Sequence, residues 1–444
     1  MELLFFVSFI FGNKDNYRGY FTDNFWEMDD LSLDSDGGEV DRDECDESTL
    51  ASTFPSTYQE VASVGVAMEK VYVLDLARVG DQACAGLDSG KISLHSLETL
   101  ARSSSLTGHS RPVTGVVGSP AGSSTLYSCS QDQTVRVWDL RKPGGSVAVL
   151  KDTSGGTGQD KSRKGPPGKN EGRSLQCLSL SSDDHTVVAG TEQVPVSNPS
   201  KAHLPSVAQV GVDSFLLFWD TRQPGKLQGG YWESHNDDVT SLQFHPNHSN
   251  TLASGSTDGQ VNIFDISQPD EDAALVSSHQ TEDSVARLCW YSRKGQDQQL
   301  AIGTHTEEVQ LWNIEAEGPH TVLSRAQLCH GIRRSAAEHC YMAGFHQREG
   351  GDEEGLVVVA GSSYAPDPCL RLALVKNKKA KPLALLKRKS ENAIVRCSLH
   401  LKGSTSLLTG GEDGVIRLWG EGDQGLVSDP GKVVNKFKIR DKPY

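Results

Sequence analysis

His109, Ser128 and Asp132 place a base, a hydroxyl and a carboxylate in one short stretch of the chain. In an open pocket and within hydrogen-bond reach of one another, such groups carry out acyl transfer. The imidazole takes the hydroxyl proton and the carboxylate orients the imidazole. A second opening for chemistry is "CHGIRRSAAEHCYMAGFH", Cys329–His346, where thiols and imidazoles alternate. Its spacing does not match a structural zinc pattern, so no metal is expected there. No P-loop, G-x-G-x-x-G after a strand, G-x-S-x-G or H-E-x-x-H occurs, so no cofactor or catalytic residue is assigned.

The elements that must position these groups repeat. "SQDQTVRVWDL" (Ser130–Leu140) aligns with "STDGQVNIFDI" (Ser256–Ile266), "THTEEVQLWNI" (Thr304–Ile314) and "GEDGVIRLWGE" (Gly411–Glu421). "VDSFLLFWDTR" (Val212–Arg222) joins from its Asp onward; "LDSGKISLHSL" (Leu87–Leu97) and "PDPCLRLALVK" (Pro366–Lys376) are weaker copies. The aromatic-equivalent positions are His95, Trp138, Trp219, Phe264, Trp312, about Leu374, and Trp419, separated by 43, 81, 45, 48, about 62 and 45 residues. That period belongs to propeller blades rather than helical solenoids. Each unit reads as four short strands, and no helical period persists over a useful window. One four-stranded sheet cannot cover both of its faces; seven around an axis bury each face on a neighbour.

The fold expected is therefore all-β: a seven-bladed propeller over residues 57–420, with a disordered acidic tail at 1–56 whose acidic segment is 27–48. Flexible insertions are expected at 151–173 and 192–212, on one rim, with a C-terminal tail at 421–444. Two segments compete for the outer strand of the last blade, Gln59–Val66 and the alternating "KVVNKFKIR" of Lys432–Arg440.

The pair Gly108–His109 with Trp138–Asp139 resembles the signature of a WD40 repeat, and the resemblance covers about Tyr58 to Gly420. It implies that His109, Ser128, Asp132 and Trp138 form a structural hydrogen-bond chain from Asp to His to Ser to indole. A Ser buried in that chain cannot reach a substrate, which disposes of the triad. The fourth repeat keeps His235, Ser254 and Asp258 but has Phe264. The seventh keeps Thr409, Asp413 and Trp419 but has Ser390 in place of His. "WDLR" (Trp138–Arg141) and "WDTR" (Trp219–Arg222) fall in consecutive blades. The doubled W-D-x-R looks like the motif of propellers that dock on the adaptor of cullin-4 RING ubiquitin ligases. It makes Asp139, Arg141, Asp220 and Arg222 the expected partner-binding residues, with each Arg fork projecting into solvent.

Net charge is −15, and the segment Glu27–Ser48 carries eleven acidic residues against one Arg. An acidic chain is a poor ligand for phosphate backbones, so nucleic acid is not the expected partner. The acidic tail offers a contact for basic clients such as histones or ribosomal proteins, or simply a solvated tail. "MELLFFVSFIFG" at the start is too short to span a bilayer and lacks signal-peptide flanks. Nine scattered cysteines, with no C-x-x-C, fit reduced thiols in an intracellular protein. In "KNKKAKPLALLKRKS" (Lys376–Ser390) the two basic runs flank one strand and read as a solvated edge. The expected function is a non-enzymatic scaffold for protein–protein interaction, with the ligase receptor and the basic-client chaperone as alternatives.

Overall fold

In the fourth unit, Val261 and Ile263 pack toward the fifth unit with Val285 and Leu288, while Phe264 packs toward the third with Phe218 and Tyr231. Both faces of one strand are thus covered by neighbouring sheets. The same holds throughout this computed structural model, which describes residues 41–421 apart from 68–69, 143, 153–172, 198–209, 294–295, 349–354, 365–366, 388–392 and 402–403. Seven antiparallel blades follow one another, each with strands a (innermost) to d (outermost).

The inner strands are Val73–Val79, Val113–Gly118, Leu175–Leu180, Val239–Phe244, Val285–Arg293, Cys340–Gln347 and Val395–His400. Each touches the next in order, and the seventh touches the first, so the array closes. Seven separate hydrophobic clusters fill the seven junctions between blades. All seven inner strands carry a bulge at the same place, at Leu74, Thr114, Gln176, Thr240, Ala286, Ala343 and Arg396. A bulge sharpens the local twist. Its side chain also reaches the neighbour: Thr114 Oγ1 donates to the Leu175 carbonyl at 2.9 Å and Thr240 Oγ1 to the Val285 carbonyl at 2.6 Å. Strand b must come close to the next blade. A Cβ on Gly190 would lie 2.5 Å from Val239 Cγ1, and one on Gly410 would lie 2.4 Å from Val73 Cγ1.

Closure uses the N-terminal candidate. Ser56–Gly65 pairs antiparallel with Val415–Glu421 as strand d of blade seven. Its first residues, Ser56–Gln59, also run parallel to Ala384–Lys387, the end of strand d of blade six (Lys379–Lys387). Blades six and seven therefore form one eight-stranded sheet. The basic strand of blade six is consequently no free edge over its second half, contrary to the solvated edge expected from its lysines. The rival segment Lys432–Arg440 lies outside the described residues.

The acidic region also departs from expectation. Residues 41–55 belong to the folded body and not to a tail. Asp46 caps the helix Glu47–Thr53 through the Thr49 amide, and Leu50 and Phe54 are buried against Leu385. Residues 1–40, which hold most of the expected tail, lie outside the described residues, as do 153–172 and 198–209 of the two insertions. The base of the first insertion is pinned by an ion pair between Asp152 and Arg173, whose guanidinium lies 4.5 Å from the centre of the Phe215 ring. Among the described residues no helix is long and apolar enough to cross a membrane.

Candidate interaction surface

In blade two the hydrogen-bond chain is complete. The turn after strand b (Thr125–Ser130) carries Asp132, and strand c (Thr134–Asp139) carries Trp138. Trp138 Nε1 donates to Ser128 Oγ at 2.8 Å, Ser128 Oγ meets His109 Nε2 at 2.8 Å, and His109 Nδ1 meets Asp132 Oδ2 at 2.9 Å. The indole already donates to Ser128, so the hydroxyl proton goes to Nε2 and the ring hydrogen sits on Nδ1, facing the carboxylate. Asp132 also accepts from the Ser110 and Thr134 amides and from Thr134 Oγ1. Burial pushes this carboxyl up, but His109, Thr134 and Ser110 outweigh it and hold it well below the usual carboxylate range. Ser128 is fully buried, so the trio has no access to a substrate.

Blade four repeats the chain up to its end. His235 Nε2 lies 2.7 Å from Ser254 Oγ and His235 Nδ1 lies 3.3 Å from Asp258, and Phe264 has no donor to add. In blade seven Trp419 Nε1 donates to Thr409 Oγ1 at 2.9 Å, while Asp413 accepts from Arg417 Nη2 at 2.6 Å. Ser390 lies outside the described residues. Other blades use substitutes that their residue types did not announce. His95 bridges Ser93 and the Leu100 carbonyl in blade one, and Gln310 receives the Trp312 indole in blade five.

The rim residues are arranged differently from expectation. Arg141 donates through Nε and Nη2 to both oxygens of Asp139, at 2.9 and 3.0 Å. Arg222 does the same to Asp220, at 2.9 and 2.8 Å. One edge of each fork is therefore closed on the chain's own carboxylate and is not open to a partner. The guanidinium planes are fixed, with side chains 73% and 63% exposed, leaving the Nη1 edge outward. Hydrogen bonds to Arg141 and Arg222 draw the Asp139 and Asp220 carboxyls down, Asp139 to about 2. Both pairs sit on the turns after strand c. Leu140 is tied to the Ser124 carbonyl and Thr221 to the His185 carbonyl, so the turns share one rim with the turns after strand a.

The sequence reading missed an anchor on blade six. Arg334 is fully buried, and its Nε donates to Asp41 Oδ2 at 2.9 Å and its Nη1 to Asp367 at 2.7 Å and Asp43 at 3.3 Å. Asp41 also accepts from the Ala336 amide at 2.9 Å and from Ser362 Oγ. Arg371 Nη2 donates to Asp43 at 2.6 Å, and Glu44 pairs with His330 and Arg333. Asp41, Asp43 and Glu44 are thus the counter-ions of a basic socket. Its parts stand in the sequence, as the Arg333–Arg334 pair and the density of acid ahead of the first strand, but nothing in the sequence joins them.

The WD domain, G-beta repeat family matches residues 101–139, 226–265 and 381–420. Each match runs from strand d of one blade to strand c of the next. The chain carries WD40 repeats at these three places. Among WD40 relatives, it is 24% identical over 58% of its length to the WD repeat-containing protein 89 homolog of Dictyostelium discoideum, covering 58% of that protein. It is 40% identical over 19% of its length to a WD repeat-containing protein of Saccharomyces cerevisiae, YNL035C, covering 21% of it. It is 25% identical over 46% of its length to the ribosome biogenesis protein WDR12 homolog of Oryza sativa, covering 38% of it. The chain therefore spans less than two thirds of the length of each of these three.

In the Cys/His stretch Cys329 and Cys340 lie together in one buried cluster, while the histidines face other groups. Cys329 Sγ donates to the Arg334 carbonyl, His330 faces Glu44, and His346 Nε2 meets Ser398 Oγ at 2.8 Å. Among the described residues no three His, Cys, Asp or Glu side chains form a metal-binding group. On the opposite rim to Arg141, Glu307 ties blade five to blade six by accepting from the Met342 amide at 2.8 Å. Burial raises its carboxyl from 4.5 to about 7. A raised carboxyl favours the fold below the unfolded value and loses that contribution as pH rises through the folded one. Gln keeps the acceptor without the charge. Glu307→Gln is expected to melt with wild type at pH 4 and to gain roughly 1–2 kcal/mol at pH 8, a figure reduced for partial solvent contact. Thermal melts at the two pH values check it; an equal offset at both would refute the charge argument.

Proposed function

We propose that this chain is a non-enzymatic platform that docks a protein partner on the rim of blades two and three. The carrying observation is the pair of matched, exposed and internally braced guanidinium groups, Arg141 and Arg222, on adjacent blades. An arginine already held in its conformer loses less entropy on binding, and arginine is enriched at interface hot spots. The partner favoured by the doubled W-D-x-R is the adaptor of cullin-4 ubiquitin ligases, which would make the chain a substrate receptor.

The test is capture of that adaptor by the intact chain. Arg141→Ala with Arg222→Ala should leave the melting temperature unchanged, because exposed pairs contribute little to stability, and should abolish capture. Full capture by the double variant would remove these arginines from the interface.

A second reading is the binding of basic clients, supported by the net charge of −15 and by the relative named for ribosome biogenesis. Asp41, Asp43 and Glu44 cannot serve it, since their carboxylates are engaged in the anchor. Charge reversal across residues 27–39 should weaken binding of purified histones at low salt and converge with wild type at high salt; unaltered binding would exclude the tail.

A further inference from the structure

The junction of blades four and five opens at its periphery into a cavity of about 460 Å³. Its walls are the turn after strand d of blade four (Leu275–Gln280), the turn between strands b and c of blade five, and strand d of blade five. That last strand is only Thr321–Leu323. It pairs with Val309–Leu311 and stops short of Trp312, which is why the cavity reaches the indole. Trp312, Pro319 and Val322 give it an apolar side, and Val322 is 43% exposed. Glu282, Asp283 and Glu308 give it an acidic side. No Lys or Arg lines the cavity, and among the described residues none of the three carboxylates forms an ion pair. An occupant that matches this lining is extended and carries cations beside apolar residues.

The chain itself contains such a segment. In "KVVNKFKIR", Lys436, Lys438 and Arg440 alternate with Phe437 and Ile439, so an extended conformation presents cations on one face and apolar groups on the other. Its alternative place, strand d of blade seven, is filled by Ser56–Gly65. We propose that Lys432–Arg440 of a second copy docks in the cleft between blades four and five. Segment and cleft are complementary in charge and in apolar alternation, so the segment of one copy matches the cleft of another. This contact is independent of the rim that carries Arg141 and Arg222.

Sedimentation of the full chain at rising concentration, in low and high salt, tests the contact. Self-association is expected, weakening about tenfold or more between 50 and 500 mM salt. Glu282→Lys with Glu308→Lys, or Lys436→Glu with Lys438→Glu and Arg440→Glu, should each leave a monomer. Mixing the two reversed chains should restore association, because the unaltered segment of the first meets the unaltered cleft of the second, and the reversed segment of the second meets the reversed cleft of the first. A labelled peptide of residues 432–440 should bind wild type and not the cleft variant, while Glu98→Lys with Glu233→Lys, elsewhere on the surface, should leave its binding intact. Val322→Asp supplies a second cleft variant if the reversal perturbs folding. A chain that stays monomeric at all concentrations, association that survives both reversals, or peptide binding lost equally in the Glu98 and Glu233 control would overturn the proposal.

Discussion

Asp41→Ala should lower the unfolding free energy by about 3–4 kcal/mol, the range for removing one partner of a buried ion pair. Arg334 is wholly buried and keeps its charge at every accessible pH. Without Asp41, its Nε loses its acceptor, and so do the Ala336 amide and the Ser362 hydroxyl. Asp367 and Asp43 still face Nη1, which keeps the loss at the lower end of that range. Asp41→Asn should cost less, since an amide oxygen still accepts from Ala336. The effect is also pH-dependent. Burial pushes the Asp41 carboxyl up, but Ser362, the Ala336 amide and Arg334 together bring it below 3.8. A lowered carboxyl contributes its stabilisation above the unfolded value and loses it as pH falls through the folded one. Denaturant melts should therefore separate wild type from Asp41→Ala at pH 7, with the gap closing below about pH 3.8. A gap of the same size at pH 3 would assign the cost to lost packing rather than lost charge.

Asp132→Ala is expected to cost about 2–3 kcal/mol, the next largest effect. Four donors converge on this carboxylate: His109 Nδ1, the Ser110 and Thr134 amides and Thr134 Oγ1. Buried donors left without acceptors cost about 1–3 kcal/mol each when they cannot reach water, and those at the turn can be rehydrated in part. Asp413→Ala in blade seven should cost less, because Arg417 keeps Glu60 3.8 Å away. Trp138→Phe should be milder than Asp132→Ala, since blade four already tolerates Phe264 at that place. The ordering of the three melting temperatures is the measurement. If Trp138→Phe proves the most damaging, indole packing and not the hydrogen-bonded chain holds blade two together.

The blade networks were legible because each lies within one repeat. His109, Ser128, Asp132 and Trp138 are joined by local strand pairing, and spacing along the chain becomes spacing in the sheet. The same holds for the turn residues: Asp139 and Arg141, two apart on a tight turn, meet by local geometry. Their bidentate closure was missed because the nearest carboxylate of a rim arginine is its own neighbour, which repeat alignment does not weigh. The anchor was illegible for the opposite reason. Asp41 and Arg334 are 293 residues apart, and nothing periodic links them. An acidic run with no apolar pattern reads as solvated until the fold supplies its counter-ions.

Hydrophobic alternation and turn residues act over a few positions, so the repeat, the number of blades and the four-strand unit were readable along the chain, while the buried Asp–His–Ser–Trp chain followed from the WD40 resemblance. Long-range packing sets which end closes the ring, that residues 41–44 are anchor rather than tail, and that blades four and five part at the periphery. Those outcomes depend on which surfaces meet when the last blade returns to the first. Buried charge is tolerated only where a partner is brought to it, and that partner comes from the far end of the chain.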